Sequence, residues 1–154
     1  MPVLANTSDT LFVELSLLGI EESDLADDPI GFVAEVAFRI LDAGAMPHDV
    51  LRSSVSLSAG DTAALAAELE SFADDDRGAL RVALEDGEIE IGLSRAGQVI
   101  TAEAVLDFAA VSEALRDVGF GRNRCSVRFA TDADRVRSFA GLLRHEVARL
   151  LGEG

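Results

Sequence analysis

The chain has no lysine, no tryptophan and no tyrosine, and all 13 of its basic residues are arginine. Without lysine it has neither a Schiff-base nucleophile nor a Walker-type phosphate lysine. Without Trp or Tyr it has no aromatic cage of that kind, and none of the platforms that sugar sites usually present. A single cysteine, Cys125, excludes an internal disulfide and suits a reducing compartment. Its alternation with Val127 and Phe129 predicts a core thiol. Two histidines and one cysteine leave no room for a His-rich or Cys-rich metal site. No apolar run reaches the roughly 18 residues that cross a bilayer, and the first residues lack the basic and apolar regions of a signal peptide. These absences predict a cytoplasmic protein with no membrane partner and no cofactor.

What the chain does have is acid. Its 154 residues carry 28 Asp and Glu, for a net charge of -15. Residues 1–110 hold 22 of those acids against 5 arginines, whereas residues 111–154 hold 6 against 8. Such a surface repels nucleic acid and anionic membrane and favours a basic partner. Ordinary solubility and adaptation to a salty cytoplasm are competing reasons for the same composition. An apolar fraction of 49% places the acid outside a real core, and the length fits one domain spanning 1–154.

Leu11, Val13, Leu15 and Leu17 alternate with Phe12, Glu14 and Ser16, the period of a half-buried strand. Gly19 is read as opening an acidic loop (Glu21, Glu22, Asp24, Asp27, Asp28) that Pro29 closes, because a proline cannot donate to a central ladder. A second strand is predicted over Ile30 to Leu41, and a third around Leu51 to Leu57 after a turn at Gly44 and Pro47. Ser58 with Asp61 predicts a helix start, and Leu65, Leu69 and Phe72 form its inward stripe to about Ala73. Asp74, Asp75 and Asp76 mark its stop, since acid disfavours the negative end of the helix dipole. Leu80, Val82 and Leu84, then Asp86-Gly87, then Ile89, Ile91 and Leu93 predict a hairpin of type I′. A turn at Ala96-Gly97 leads into a strand from Gln98 to about Phe108. Ala109 to Asn123 is ambiguous between short helix and loop. A strand follows over Arg124 to Ala130. Thr131 with Asp134 repeats the capping pattern before a helix from Asp132 to about Leu151. The fold class expected is α+β, a single antiparallel sheet of about six to seven strands with two amphipathic helices packed on one face. No internal repeat is evident.

No motif carries chemistry. His145-Glu146 lacks the second imidazole of a zinc-protease helix, because Arg149 stands at that position. His48 beside Asp49 has no nucleophile in context. Gly119-Phe120-Gly121 with Arg122 and Arg124 leads into a strand where a phosphate loop needs a helix. The acidic loop lacks the spacing of a calcium loop. Neither a catalytic nor a metal residue is therefore predicted, and a small hydrolase is the most distant of three readings. The outward face of the sheet remains: Glu85, Glu88 and Glu90 in the meander, with Glu14, Glu35 and Glu103 on other strands and Arg39, Arg52 and Arg81 interspersed. That face is either a solvated surface with cross-strand ion pairs or, with the Glu21 to Asp28 loop, a docking surface for a basic protein.

The Asp61-to-Phe72 helix, the Leu80 to Leu93 hairpin with its further Gly-led strand, and Val127-Arg128-Phe129 running through Thr131-Asp132 into Val136 and Phe139 resemble the WapI-type family of small bacterial proteins. The resemblance spans roughly Leu51 to Leu151. It implies a cytoplasmic protein that neutralises a toxin domain by binding. The chain departs from that family in the Ala109 to Asn123 insert and in lacking Tyr and Trp. The functional expectation is a non-catalytic protein-binding domain, such as an immunity protein against a basic toxin, using Glu21, Glu22, Asp24, Asp27, Asp28, Glu85, Glu88 and Glu90. The alternative is a structural or regulatory interaction domain with an acidic surface. Neither the partner nor the oligomeric state follows from the sequence.

Overall fold

The computed structural model describes residues 1–41, 46–75, 77–84, 88–107 and 124–153, with the side chains of Asp24 and Leu25 outside that description. The elements run β1 (Val3–Ala5), β2 (Leu11–Leu25), β3 (Asp28–Leu41), β4 (Pro47–Ser58), α1 (Ala59–Asp74), β5 (Ala79–Leu84), β6 (Ile89–Ala96), β7 (Val99–Asp107), β8 (Arg124–Thr131) and α2 (Ala133–Leu151). The class is α+β with antiparallel pairing, as expected. The single sheet is not: the strands form two four-stranded sheets, ordered β1-β2-β3-β4 and β5-β6-β7-β8. Short turns favour pairing of neighbours in sequence, but α1 stands between β4 and β5, so no hairpin obliges those two to pair, and they lie in different sheets. The described chain therefore runs through four strands and a helix, twice. That repetition is one of topology, which side-chain patterns do not display.

Two other boundaries differ from expectation. The acidic stretch after Gly19 is not a loop but the distal half of the β2/β3 hairpin, with Ile20 opposite Phe32 and Glu22 opposite Ile30. Pro29 is tolerated because the register shifts between Glu22 and Leu25, so its missing donor faces a bulge. His48, expected in a turn, lies in β4 opposite Ile40. The Asp86-Gly87 turn and the Ala109 to Asn123 segment lie outside the described residues. The flanking strands pair as predicted, with Leu84 opposite Ile89. Ala96 pairs with Val99, so the next turn is Gly97-Gln98, with Gly97 at a φ of 63°.

The core is one apolar cluster drawn from the inner faces of both sheets and from both helices. Phe32, Leu57, Phe72, Ile100, Leu106 and Phe139 are among its fully buried members. The helices pack on each other, α1 also against β3, β4 and β5, and α2 against β1 and β2. At the other flank the sheets meet edge to edge. Thr131 Oγ1 donates to the Ala5 carbonyl at 2.7 Å, and the Thr7 amide donates to the Ala130 carbonyl at 3.0 Å.

Helix ends account for several polar residues. Ser58 caps α1, its hydroxyl accepting from the Asp61 amide at 3.1 Å. At the other end, where Asp74 and Asp75 oppose the dipole, the protein brings in cations from elsewhere. Arg95 of β6 donates to the Phe72 carbonyl at 2.8 Å with its guanidinium 4.9 Å from the Phe72 ring centre, and Arg137 of α2 pairs with Asp74 at 2.9 Å. The cap of α2 is Asp132, not Thr131: its carboxylate accepts from the Arg135 amide at 2.9 Å and pairs with the Arg135 guanidinium. The Arg135 amide first, and its guanidinium as well, hold the Asp132 carboxyl below the usual carboxylate range.

Native Asp132 therefore binds fewer protons than unfolded Asp132 between the native and the ordinary carboxylate pKa, so stability rises with pH there. The contribution is complete above about pH 4–5 and is lost as pH falls through the native value. Asp132→Ala is expected to cost about 1 kcal/mol at neutral pH. Its urea midpoint is expected to fall less steeply than the parent's between about pH 4.5 and pH 3, which a pH series of denaturation curves measures.

Candidate functional site

Cross-strand partners share a face, so the register reveals what each outer face presents. On the sheet of β1 to β4, Arg39 reaches Glu14 at 3.2 Å and Asp49 at 3.0 Å, while Arg52 reaches Asp49 at 2.7 Å and pairs with Glu35. These arginines, Arg52 foremost, hold the Asp49 carboxyl below its ordinary range. The Arg39 Nε proton is buried and poorly aligned with Asp49 despite the short separation, so the contact is electrostatic more than a hydrogen bond. On the second sheet a row runs Arg81, Gly92, Glu103, Arg128 across all four strands. Arg81 lies over Gly92, where a Cβ would come within 3.0 Å of its Nη2, and bridges Glu90 and Glu103. Arg124 lies 3.5 Å from Glu90 on its other side.

Both outer faces are thus cross-linked by alternating charge. The first carries Glu14, Glu35 and Asp49 against Arg39 and Arg52, and the second carries Glu90, Glu103 and Asp107 against Arg81, Arg124 and Arg128. Neither has much charge left over to offer a partner. Of the predicted docking residues, Glu90 sits between two guanidiniums, Glu88 extends the β6/β7 pairing by accepting the Asp107 amide on its backbone carbonyl at 2.9 Å, and Glu85 lies outside the described residues.

The acid that is not matched lies at the far end of the β2/β3 hairpin. At about 3.3 Å per residue the 15 residues of β2 span about 45–50 Å, longer than α1 or α2. Between Gly19 and Ile30 the sequence has Glu21, Glu22, Asp24, Asp27 and Asp28 and no arginine. Glu21, Glu22 and Asp27 have no cation within salt-bridge distance among the described residues; the Asp24 side chain lies outside them. Asp28 is different: its carboxylate accepts the Gly60 amide at 2.8 Å, anchoring the hairpin to the start of α1. A Cβ at position 60 would lie 2.6 Å from that oxygen, so the approach requires glycine.

Beside these carboxylates stand four large apolar side chains left in solvent: Leu18 (60% exposed), Ile20 (53%), Ile30 (40%) and Val33 (37%). Ile20, Ile30 and Glu22 share the face of buried Phe32, beyond the part the helices cover. Val33 and Glu21 share the opposite face, and Leu18 is the extra residue of the bulge between Leu17 and Gly19. Sequence reasoning found the acids and missed these neighbours. The signal was the doublet Leu17-Leu18, where the bulge leaves Leu18 out of the ladder and shifts the phase so that Ile20 falls on the face of Phe32.

Among the described residues no group of three or more His, Cys, Asp and Glu side chains is placed to hold a metal ion. Glu146 of the His145-Glu146 pair is used for structure, accepting the Leu17 amide at 3.3 Å and lying 3.4 Å from the amino terminus. A shallow cavity of about 250 Å³ lies over the Arg81, Gly92, Glu103, Arg128 row, and one of about 200 Å³ lies beside Phe12, Glu14 and Arg39. Both belong to the cross-linked faces. No described helix is long and apolar enough to cross a membrane.

No family model matches the chain, and no curated protein does. Among solved structures it is similar to one titled "Structure of the plant transcriptional regulator PBF-2", with 8% identity, 94% of this chain and 79% of that chain covered, and a TM-score of 0.51. At that identity the likeness is one of fold alone.

Proposed function

We propose that the chain is a non-catalytic binding domain that docks a basic protein through the tip of the β2/β3 hairpin. The observation that carries this reading is the contrast within one molecule. Carboxylates on both sheet faces are matched by arginines, whereas Glu21, Glu22 and Asp27 are unmatched and border exposed Leu18, Ile20, Ile30 and Val33. On the Phe32 face, exposed Ile20 and Ile30 with Glu22 beside them form an apolar patch bordered by acid, which suits protein recognition: the apolar part supplies affinity by leaving water, and the acid steers encounter and excludes acidic competitors. Masking of a basic toxin, as the family resemblance implies, is one instance of such docking. A structural or regulatory interaction is the other. The similar plant protein is a regulator of transcription; in a chain of net charge -15 such a role would run through protein contacts, because phosphate is repelled.

The test is capture from host lysate by three proteins: the parent, Glu22→Arg/Asp27→Arg, and Ile20→Ser/Ile30→Ser. The expected result is a basic protein held by the parent and lost, or weakened at least tenfold (about 1.4 kcal/mol), by both variants. A partner retained equally by all three would place recognition elsewhere and end this reading.

A further inference from the structure

The first sheet ends on β4, and among the described residues no strand pairs with that outer edge. In an antiparallel ladder about half of an edge strand's amides and carbonyls point away from its neighbour. None of the described backbone hydrogen bonds outside helices and strands uses a group between Arg52 and Leu57. Of the other three edges, β1 has three residues, β5 has six and abuts α1, and β8 has eight but meets the β1 side of the first sheet through Ala130 and Thr131. Proteins blunt edges with proline, bulges and charge. In β4 such devices are confined to its first part, with Pro47 and the irregularity opposite Phe38 and Arg39. From Leu51 to Ser58 the register is regular, Arg52 is the one charge, and exposed Ser54 and Ser56 are too small to screen the backbone.

Charge complementarity indicates what would occupy this edge. Ser58 pairs with Gly31, which lies opposite Glu21, so the end of β4 adjoins the acidic hairpin tip. Asp27, Asp28 and exposed Asp61 of α1 surround that end without a described ion pair to a cation. We infer that an extended segment of a basic protein adds a fifth strand to this sheet along Leu51 to Ser58, with its arginine or lysine residues over the Ser58 end. The inference rests on the proposed docking function and specifies how the partner is held: backbone pairing supplies affinity and the acidic end sets direction.

The probe is a peptide of about eight residues alternating valine and arginine, used beside the same peptide N-methylated at every second residue, which keeps the charge and removes the donors. With the unmethylated peptide, alternate amides of Leu51 to Ser58 are expected to exchange at least about tenfold more slowly. The methylated peptide is expected to bind at least about tenfold more weakly. Equal binding of the two peptides, or unchanged exchange along β4, overturns the inference. If in that case resonances of Glu21 to Asp27 still move with peptide, the docking function stands and only the added strand is lost.

Discussion

Phe72→Ala is expected to destabilise the fold by about 3–5 kcal/mol, a large share of the total that a domain of this size possesses. Phe72 has no exposed surface and lies where α1 meets the rest of the core. Its removal leaves a cavity that the packed neighbours cannot fill, because interiors are dense and side chains there sit in fixed rotamers. The ring also lies beneath the Arg95 guanidinium that holds the last carbonyls of α1, so the variant loosens that cap as well. Val99→Ala provides the comparison. Val99 is 52% exposed in a turn-proximal position, and its loss is expected to stay within about 0.5 kcal/mol. Urea denaturation of both variants measures the difference, and similar midpoints would mean that α1 is not part of the principal core.

The second large effect concerns a charge in the wrong place for an outer face. Glu14 is only 5% exposed, held by Arg39 at 3.2 Å and by the Ser16 hydroxyl at 3.4 Å. Burying a carboxylate is costly unless it is paired, and the cost appears when the partner is removed. Arg39→Met is expected to lose about 3 kcal/mol. The double change Glu14→Leu/Arg39→Met removes both charges and is expected to return to within about 1 kcal/mol of the parent, because a pair of this kind returns little beyond its own desolvation. Asp49 keeps Arg52 in either variant. A double-mutant cycle on denaturation free energies isolates the coupling, and additive losses would show that Glu14 and Arg39 act independently.

The parts of the fold that were legible in the sequence are those set by local periodicity. Val13, Leu15 and Leu17, Ile89, Ile91 and Leu93, and Val136, Phe139 and Leu143 announce their elements and their inward faces, because a side chain's direction follows directly from strand or helix geometry. Ser58 announced its helix for the same local reason. Pairing between distant elements was not legible. Period-2 alternation states which side of a strand is apolar but not which strand lies beside it, so nothing in the pattern separated β4 from β5 into different sheets. Thr131 resembled a cap by spacing, yet its hydroxyl is used across the sheet junction on Ala5, and Asp132 takes its place. The acidic run was misread as a loop because acids disfavour strands in isolation. In this hairpin Glu21 is only part-buried and Glu22 is exposed, so both carboxylates reach water and cost little there.

The candidate site was legible by half. Composition located the excess carboxylates, but whether a given acid is available depends on its cross-strand neighbours. Glu90 and Glu103 have Arg81 within reach, whereas Glu22 and Asp27 have no such neighbour. That distinction is a matter of register, which needs the pairing.

The central claim is that recognition uses the unmatched acid of the hairpin tip and not the matched acid of the sheets. It is tested most directly by the association rate of the captured partner with the parent, with Glu22→Arg/Asp27→Arg, and with Glu103→Gln, measured at low salt and at about 0.3 M, where screening shortens electrostatic reach below about 10 Å. The account predicts that the parent and Glu103→Gln associate at similar rates, both slowing at least about tenfold with salt. It predicts that the tip variant is slow at both salts. A tip variant that associates as fast as the parent, with Glu103→Gln slowed instead, would contradict it.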